Sequence, residues 1–145
     1  MIQPQYSGAM NFIRLAYGHE GDIHWCINDN GINPTAYVEL PDNLASPARA
    51  EDWEDNVDIH GDVTFDSQED SGEGDDRFIG VGFKNHFIGW DYAHVGDAIG
   101  GWGVNDTIVP QKKWTTEEII EEVKQVILSL QTVSAIVAAR EGVRT

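Results

Sequence analysis

The chain has 145 residues, 41% of them hydrophobic, and nine Lys and Arg against 25 Asp and Glu give a formal net charge of −16. That length suits one domain, residues 1–145, with a real core, and the charge disfavours duplex DNA and anionic membranes as partners unless the few bases cluster. No apolar run approaches the length of a membrane span, MIQPQYSGAM lacks a basic region followed by an apolar one, and the single cysteine, Cys26, excludes an intramolecular disulfide; the expectation is a soluble protein of a reducing cytoplasm.

Taken in chain order, YSGAMNFIRLAYG places Ala9, Phe12, Ile13 and Ala16 at helical spacing, with Ser7 as a cap and Gly18 as a stop, which predicts a short N-terminal helix. DIHWCI (22–27) alternates Ile23, Trp25 and Ile27 against His24 and Cys26, a strand with period two. NDNGIN is a turn, and TAYVEL (35–40) is a second strand closed by Pro41. DNLASPARAEDW is loop or short helix. VDIHGDVTF (57–65) is predicted as a third strand, interrupted at Gly61. RFIGVGF and HFIGWDYAH follow as two apolar strands joined through Lys84-Asn85. Before these two segments, residues 51–76 hold twelve of the 25 acids and neither Lys nor Arg. SQEDSGEGDD within it has the composition of a solvated loop. GDAIGGWGVNDT is irregular and lacks the context of a phosphate loop.

The last segment, WTTEEIIEEVKQVILSLQTVSAIVAAREG, is a helix over about 115–141. Thr115 and Glu118 form a capping box, and the early acids suit the positive end of the helix dipole. Ile119, Val123, Val126, Leu130, Val133 and Val137 form a heptad-like stripe. Further apolar residues, Ile120, Ile127, Leu128, Ala135 and Ala138, point to a second buried face and to self-association, at least as a dimer. The expected fold is α+β: an antiparallel β-sheet or partial Greek-key barrel (β-rich core about 20–100) with a short N-terminal helix and C-terminal helix or helices.

Catalytic signatures are weak. Cys26 lies on a strand, where a lone cysteine packs as a small hydrophobe. The histidines His19, His24, His60, His86 and His94 show no metal-ligand spacing, so neither metal nor cofactor is expected. The reading is a binding protein rather than an enzyme.

Aromatic residues carry the binding expectation. Trp90, Tyr92 and Trp102 are interleaved with His94, Asp97 and Asn105, and Asp91 stands between the first two. Such rings stack bases, at roughly 1–3 kcal/mol per base, while Asn and Asp read polar edges. His60 and His94 would order the pocket. Arg77 and Lys84 would meet phosphate, and Lys124 or Arg140 of a second subunit could complete the site. If Trp90 points into the core, Tyr92 follows it, Asp91 turns outward, and stacking passes to Trp102.

YVELP (37–41), DIHGDVTF (58–65), FIGWDYAHVGD (87–97) and WTTEEIIEEVKQVI resemble a family of small phage proteins. That family carries a Tyr-Val-x-x-Pro strand, an Asp-x-His-Gly-Gly-Leu-Thr-Tyr strand and a Gly-Phe-Asp-x-Ala-His-x-Gly-Asp turn before a final helix. It is similar to the first-described anti-Thoeris class. The resemblance covers roughly residues 35–130, with WDYAHVGD its most specific part; Asp62 stands where the family has a second glycine. It implies a β-rich domain whose C-terminal helices zip into a homo-oligomer in the host cytoplasm. The implied activity is a sponge that binds a cyclic ADP-ribose isomer made by TIR-domain enzymes, or cyclic oligonucleotides, without cleaving it. The alternative is an acidic nucleic-acid mimic that inhibits a host nuclease through residues 51–76.

Overall fold

Alternation of apolar and polar side chains builds the centre of the molecule. The computed structural model describes residues 5–7, 10–29, 31, 33–46, 49–67, 76–92 and 113–143. Six strands form an antiparallel sheet: β1 (Gln5–Ser7), β2 (Met10–Glu20), β3 (Ile23–Asp29), β4 (Pro34–Glu39), β5 (Phe65–Asp66) and β6 (Phe87–Asp91). Their order is β1-β2-β3-β4-β6-β5. The chain therefore meanders through four strands, leaves a slot, lays β5 at the edge and returns to fill the slot with β6. The connection from β4 to β5 holds a 3-10 turn (Asp42–Leu44) and a one-turn helix α1 (Ala50–Trp53). A long helix α2 (Thr116–Val143) completes an α+β fold.

Period two puts Ile23, Trp25, Ile27, Ala36, Val38, Leu40, Ile88, Trp90 and Tyr92 on one face of the sheet. They pack with Leu44, Trp53, Val57 and Ile59 against α2. The helix contributes Ile119, Val123, Val126, Leu130, Val133 and Val137, the whole of the predicted stripe, together with Ile127. Burying seven such side chains stabilises by roughly 10–20 kcal/mol before ordering entropy is subtracted. The predicted capping box is present: the Glu118 amide donates to Thr115 Oγ1 at 3.2 Å, and the Thr115 amide donates to Glu118 Oε1 at 3.1 Å. By length and composition Thr116–Gly142 could also cross a membrane. The core helix of a folded domain passes the same test, and here the apolar stripe docks on the sheet. Leu128 (57% exposed) and Ile136 (54%) lie off that stripe.

The opposite face is also covered. Cys26, Tyr37, Phe65, Val81 and Phe87 are buried there, with Phe78 and Phe83 packed on them. Burial pushes the Cys26 thiol up to about 12, against the lowering effect of Arg14, so it packs as a neutral thiol and not as a nucleophile.

Three predicted elements are corrected. The N-terminal helix is instead the strand β2: Phe12, Ile13 and Ala16 fit helical spacing, but pairing from Ile13↔Asp29 to Glu20↔Ile23 holds the segment extended. A register shift between Arg14 and Ala16 disguises its period of two. The strand predicted at 57–65 survives only as Phe65–Asp66. Val57 and Ile59 do alternate inward, but they pack against the helical core rather than pair. Gly61 (φ 64°) and Asp62 (φ 69°) then turn the chain. RFIGVGF is not a hairpin strand: Asp76–Phe78 is a 3-10 turn, and Gly80 (φ 85°) and Gly82 (φ 96°) coil the rest into a strap over the second face.

Asp62 occupies the left-handed backbone region that glycine prefers. Asp62→Gly is therefore expected to raise the unfolding free energy by about 0.5–1 kcal/mol, read as a higher midpoint in urea.

Candidate functional site

A cavity of about 780 Å³ opens between α2 and the turn at 58–61. Asp58, Ile59, His60 and Gly61 form one wall, while Glu118, Glu121, Glu122, Gln125, Val126 and Ser129 of α2 form the other, with Trp90 and Trp114 between them. The helix supplies this wall because its polar residues recur at three- and four-residue spacing beside the apolar stripe. The positive-φ pair Gly61-Asp62 turns the opposite wall back after His60.

The rings at this site form one cluster. His60 stacks on Tyr92 with centroids 4.5 Å apart and planes 18° from parallel. Trp114 meets His60 and Tyr92 at 5.0 Å each. Trp90 and Tyr92 are both fully buried. Trp90 Nε1 donates to Tyr92 Oη at 3.0 Å, and Tyr92 Oη donates to Glu122 Oε1 at 2.6 Å. Among the described residues no Lys or Arg lines this cavity, whereas four carboxylates do. Its interior suits aromatic surface and hydrogen-bond donors, and it repels anions.

The predicted site residues divide. His60, Trp90 and Tyr92 come together. Asp91 points the other way along β6, opposite Thr35 of β4. Arg77 and Lys84 belong to the second face of the sheet. The Arg77 guanidinium lies over the Phe65 and Phe78 rings at 5.2 and 5.1 Å, and its carbonyl accepts from Arg14 and Asn28. The Lys84 amide donates to Glu39. A phosphate held by Arg77 or Lys84 is thus on the far side of the sheet from the ring cluster. His94, Trp102 and Asn105, like the acidic stretch 68–75 and the glycine-rich 96–107, lie outside the described residues. Of the remaining cations, Lys124 stands 3.9 Å from Glu20 and Arg140 bonds Asp52 at 3.3 Å.

Asp58, Trp114, Glu118, Glu121, Glu122 and Gln125 were not predicted as site residues. A signal for them existed: Glu118, Glu121, Glu122, Gln125 and Ser129 make a polar stripe at i, i+3, i+4, i+7 and i+11 on α2. What it faces depends on how the 57–62 segment folds back.

Two histidines serve structure elsewhere. His86 Nδ1 meets the Ala45 carbonyl at 3.1 Å, and Nε2 meets Asp66 Oδ1 at 2.5 Å, tying the crossover to β5. His24 pairs with the buried Glu39 at 3.0 Å. The chain matches no protein-family model, no curated protein and no solved structure.

Proposed function

We propose that the protein binds and sequesters a small nucleotide signal without cleaving it, acting as a phage counter-defence sponge in the host cytoplasm. The observation that carries this reading is the 780 Å³ cavity walled by His60, Trp90 and Trp114, a volume within the range of small-molecule sites, about 300–1,000 Å³. The half-buried rings of His60 and Trp114 offer stacking surface to a base, and the carboxylates accept from ribose hydroxyls or an exocyclic amine. The ligand class is a cyclic ADP-ribose isomer, with cyclic oligonucleotides as further candidates. The phosphates would face the rim, away from the carboxylates. The exposed Leu128 and Ile136, eight residues apart on α2, support pairing with a second copy of the chain.

Native mass spectrometry after adding a cyclic ADP-ribose isomer tests both statements. The expected species is a dimer or higher assembly carrying intact ligand, which denaturation releases unchanged. Release of cleaved product alone would replace the sponge with an enzyme. A second reading, an acidic decoy for a nucleic-acid enzyme, draws on the exposed Glu51, Glu54, Asp55, Asp58 and Asp62. Neutralising Glu51, Glu54 and Asp55 should abolish activity under that reading and leave ligand binding untouched under the first.

A further inference from the structure

We infer that the cavity between α2 and the 58–61 turn selects positively charged heteroaromatic rings, so that it takes the base end of a ligand and excludes its phosphates. The inference rests on this cavity being the ligand site.

Three features of the cavity carry it. The first is its charge: carboxylates on both walls, Asp58 on one and Glu118, Glu121 and Glu122 on the other, with no Lys or Arg in the lining among the described residues. The second is its aromatic wall. Cations are attracted to ring faces, by about 0.5–2 kcal/mol depending on desolvation, and Trp114 and His60 border the cavity.

The third is the direction of a buried hydrogen-bond chain. An indole nitrogen only donates, so Trp90 Nε1 must give its proton to Tyr92 Oη. Tyr92 has one proton left, and it points at Glu122 Oε1, 2.6 Å away. Glu122 is thereby the accepting end of the chain. Both donors are fully buried, so neither can swing out to bond water instead. The fold thus anchors one carboxylate at the cavity wall beside a ring cluster, a pairing that favours a planar cation over a neutral ring of the same shape and disfavours an anion most.

Three small probes share one ring and differ in charge: 1-methylnicotinamide (cation), nicotinamide (neutral) and nicotinate (anion). Calorimetric titration of the full chain at pH 7 and low salt should rank them in that order. The cation is expected about tenfold tighter than the neutral ring, a preference that shrinks as salt is added. Tyr92→Phe keeps the ring stacked on His60 and removes the hydroxyl. It should shrink the ratio of 1-methylnicotinamide to nicotinamide affinity several-fold, whereas mere loosening of the fold would weaken both and leave their ratio unchanged. Glu122→Gln should act in the same direction. Equal affinities for the three probes, or nicotinate binding best, would overturn the inference. If a cyclic nucleotide binds and the ranking is flat, the sponge reading stands and charge selection fails. If the cation binds through Glu122 and no nucleotide does, charge selection stands and the sponge reading fails.

Discussion

Gly89→Val is expected to lower the unfolding free energy by about 3 kcal/mol or more, since crowding a packed site costs ~1–3 kcal/mol and strain against backbone adds to it. Gly89 lies in the middle of β6, registered between Tyr37 of β4 and Phe65 of β5. The two rings meet edge to face over it, with centroids 5.2 Å apart. A Cβ added at residue 89 would sit 2.7 Å from Tyr37 Cδ1 and 2.9 Å from the Ala36 carbonyl oxygen. A ring can tilt; a carbonyl in the sheet ladder cannot move without breaking pairing. The predicted hairpin strand thus contains a glycine that the aromatic layer of the second face requires. Equilibrium unfolding in urea measures the loss. Gly142→Ala, where an added Cβ meets nothing within 4 Å, is the matched control. It should be neutral or raise stability by up to about 1 kcal/mol, as Ala does over Gly in helices. Equal effects at the two positions would contradict the packing account.

Glu39→Gln is the second substitution with a large expected effect, about 2–4 kcal/mol at pH 7. Glu39 is 1% exposed. Its Oε1 accepts from the His24 amide and faces His24 Nδ1, both at 3.0 Å, and its Oε2 accepts from the Lys84 and Asn85 amides at 2.5 and 2.7 Å. One carboxylate thereby fastens the strap over the second face to the start of β3. Burial pushes this carboxyl upward, but the His24, Lys84 and Asn85 amides and the His24 ring outweigh it, and the net displacement is below the ordinary value of 4.5. Because the folded value is the lower one, ionised Glu39 stabilises the fold fully above about pH 4.5. That stabilisation is lost as pH falls through the folded value. A glutamine amide retains one acceptor and turns donors toward backbone N–H groups. The stability gap between wild type and Glu39→Gln should therefore be widest near neutrality and narrow below about pH 4.5. Urea titrations at pH 7, 5 and 3.5 read this directly. A gap unchanged by acid would mean that the carboxylate's charge is not what holds the strap.

Strand β3, strand β4, the capping box and the α2 stripe were legible in the sequence because each depends on neighbours a few residues away. Period two is local to a strand, and a capping box spans four residues. The N-terminal segment failed for a physical reason. Its helical spacing is a coincidence made by the register shift between Arg14 and Ala16, and tertiary pairing overrides a weak local preference. RFIGVGF failed because Gly80 and Gly82 take positive φ, which their identity permits and only the packing of Phe78 and Phe83 selects.

The candidate site shows the same division. An aromatic and histidine cluster near residues 90–92 and a role for His60 were readable from residue type. Period two linked Trp90 to Tyr92 and turned Asp91 away. The company these residues keep follows from long-range packing. It stacks His60 on Tyr92 across a gap of 32 positions, brings Glu122 to the Tyr92 hydroxyl, and sends Arg77 and Lys84 to the far face. Composition and short-range periodicity suffice to specify an acidic α+β chain with an apolar helix stripe that docks on a sheet. The sign of charge at the cavity depends on which distant segments fold back onto one another, and no spacing along the chain encodes it.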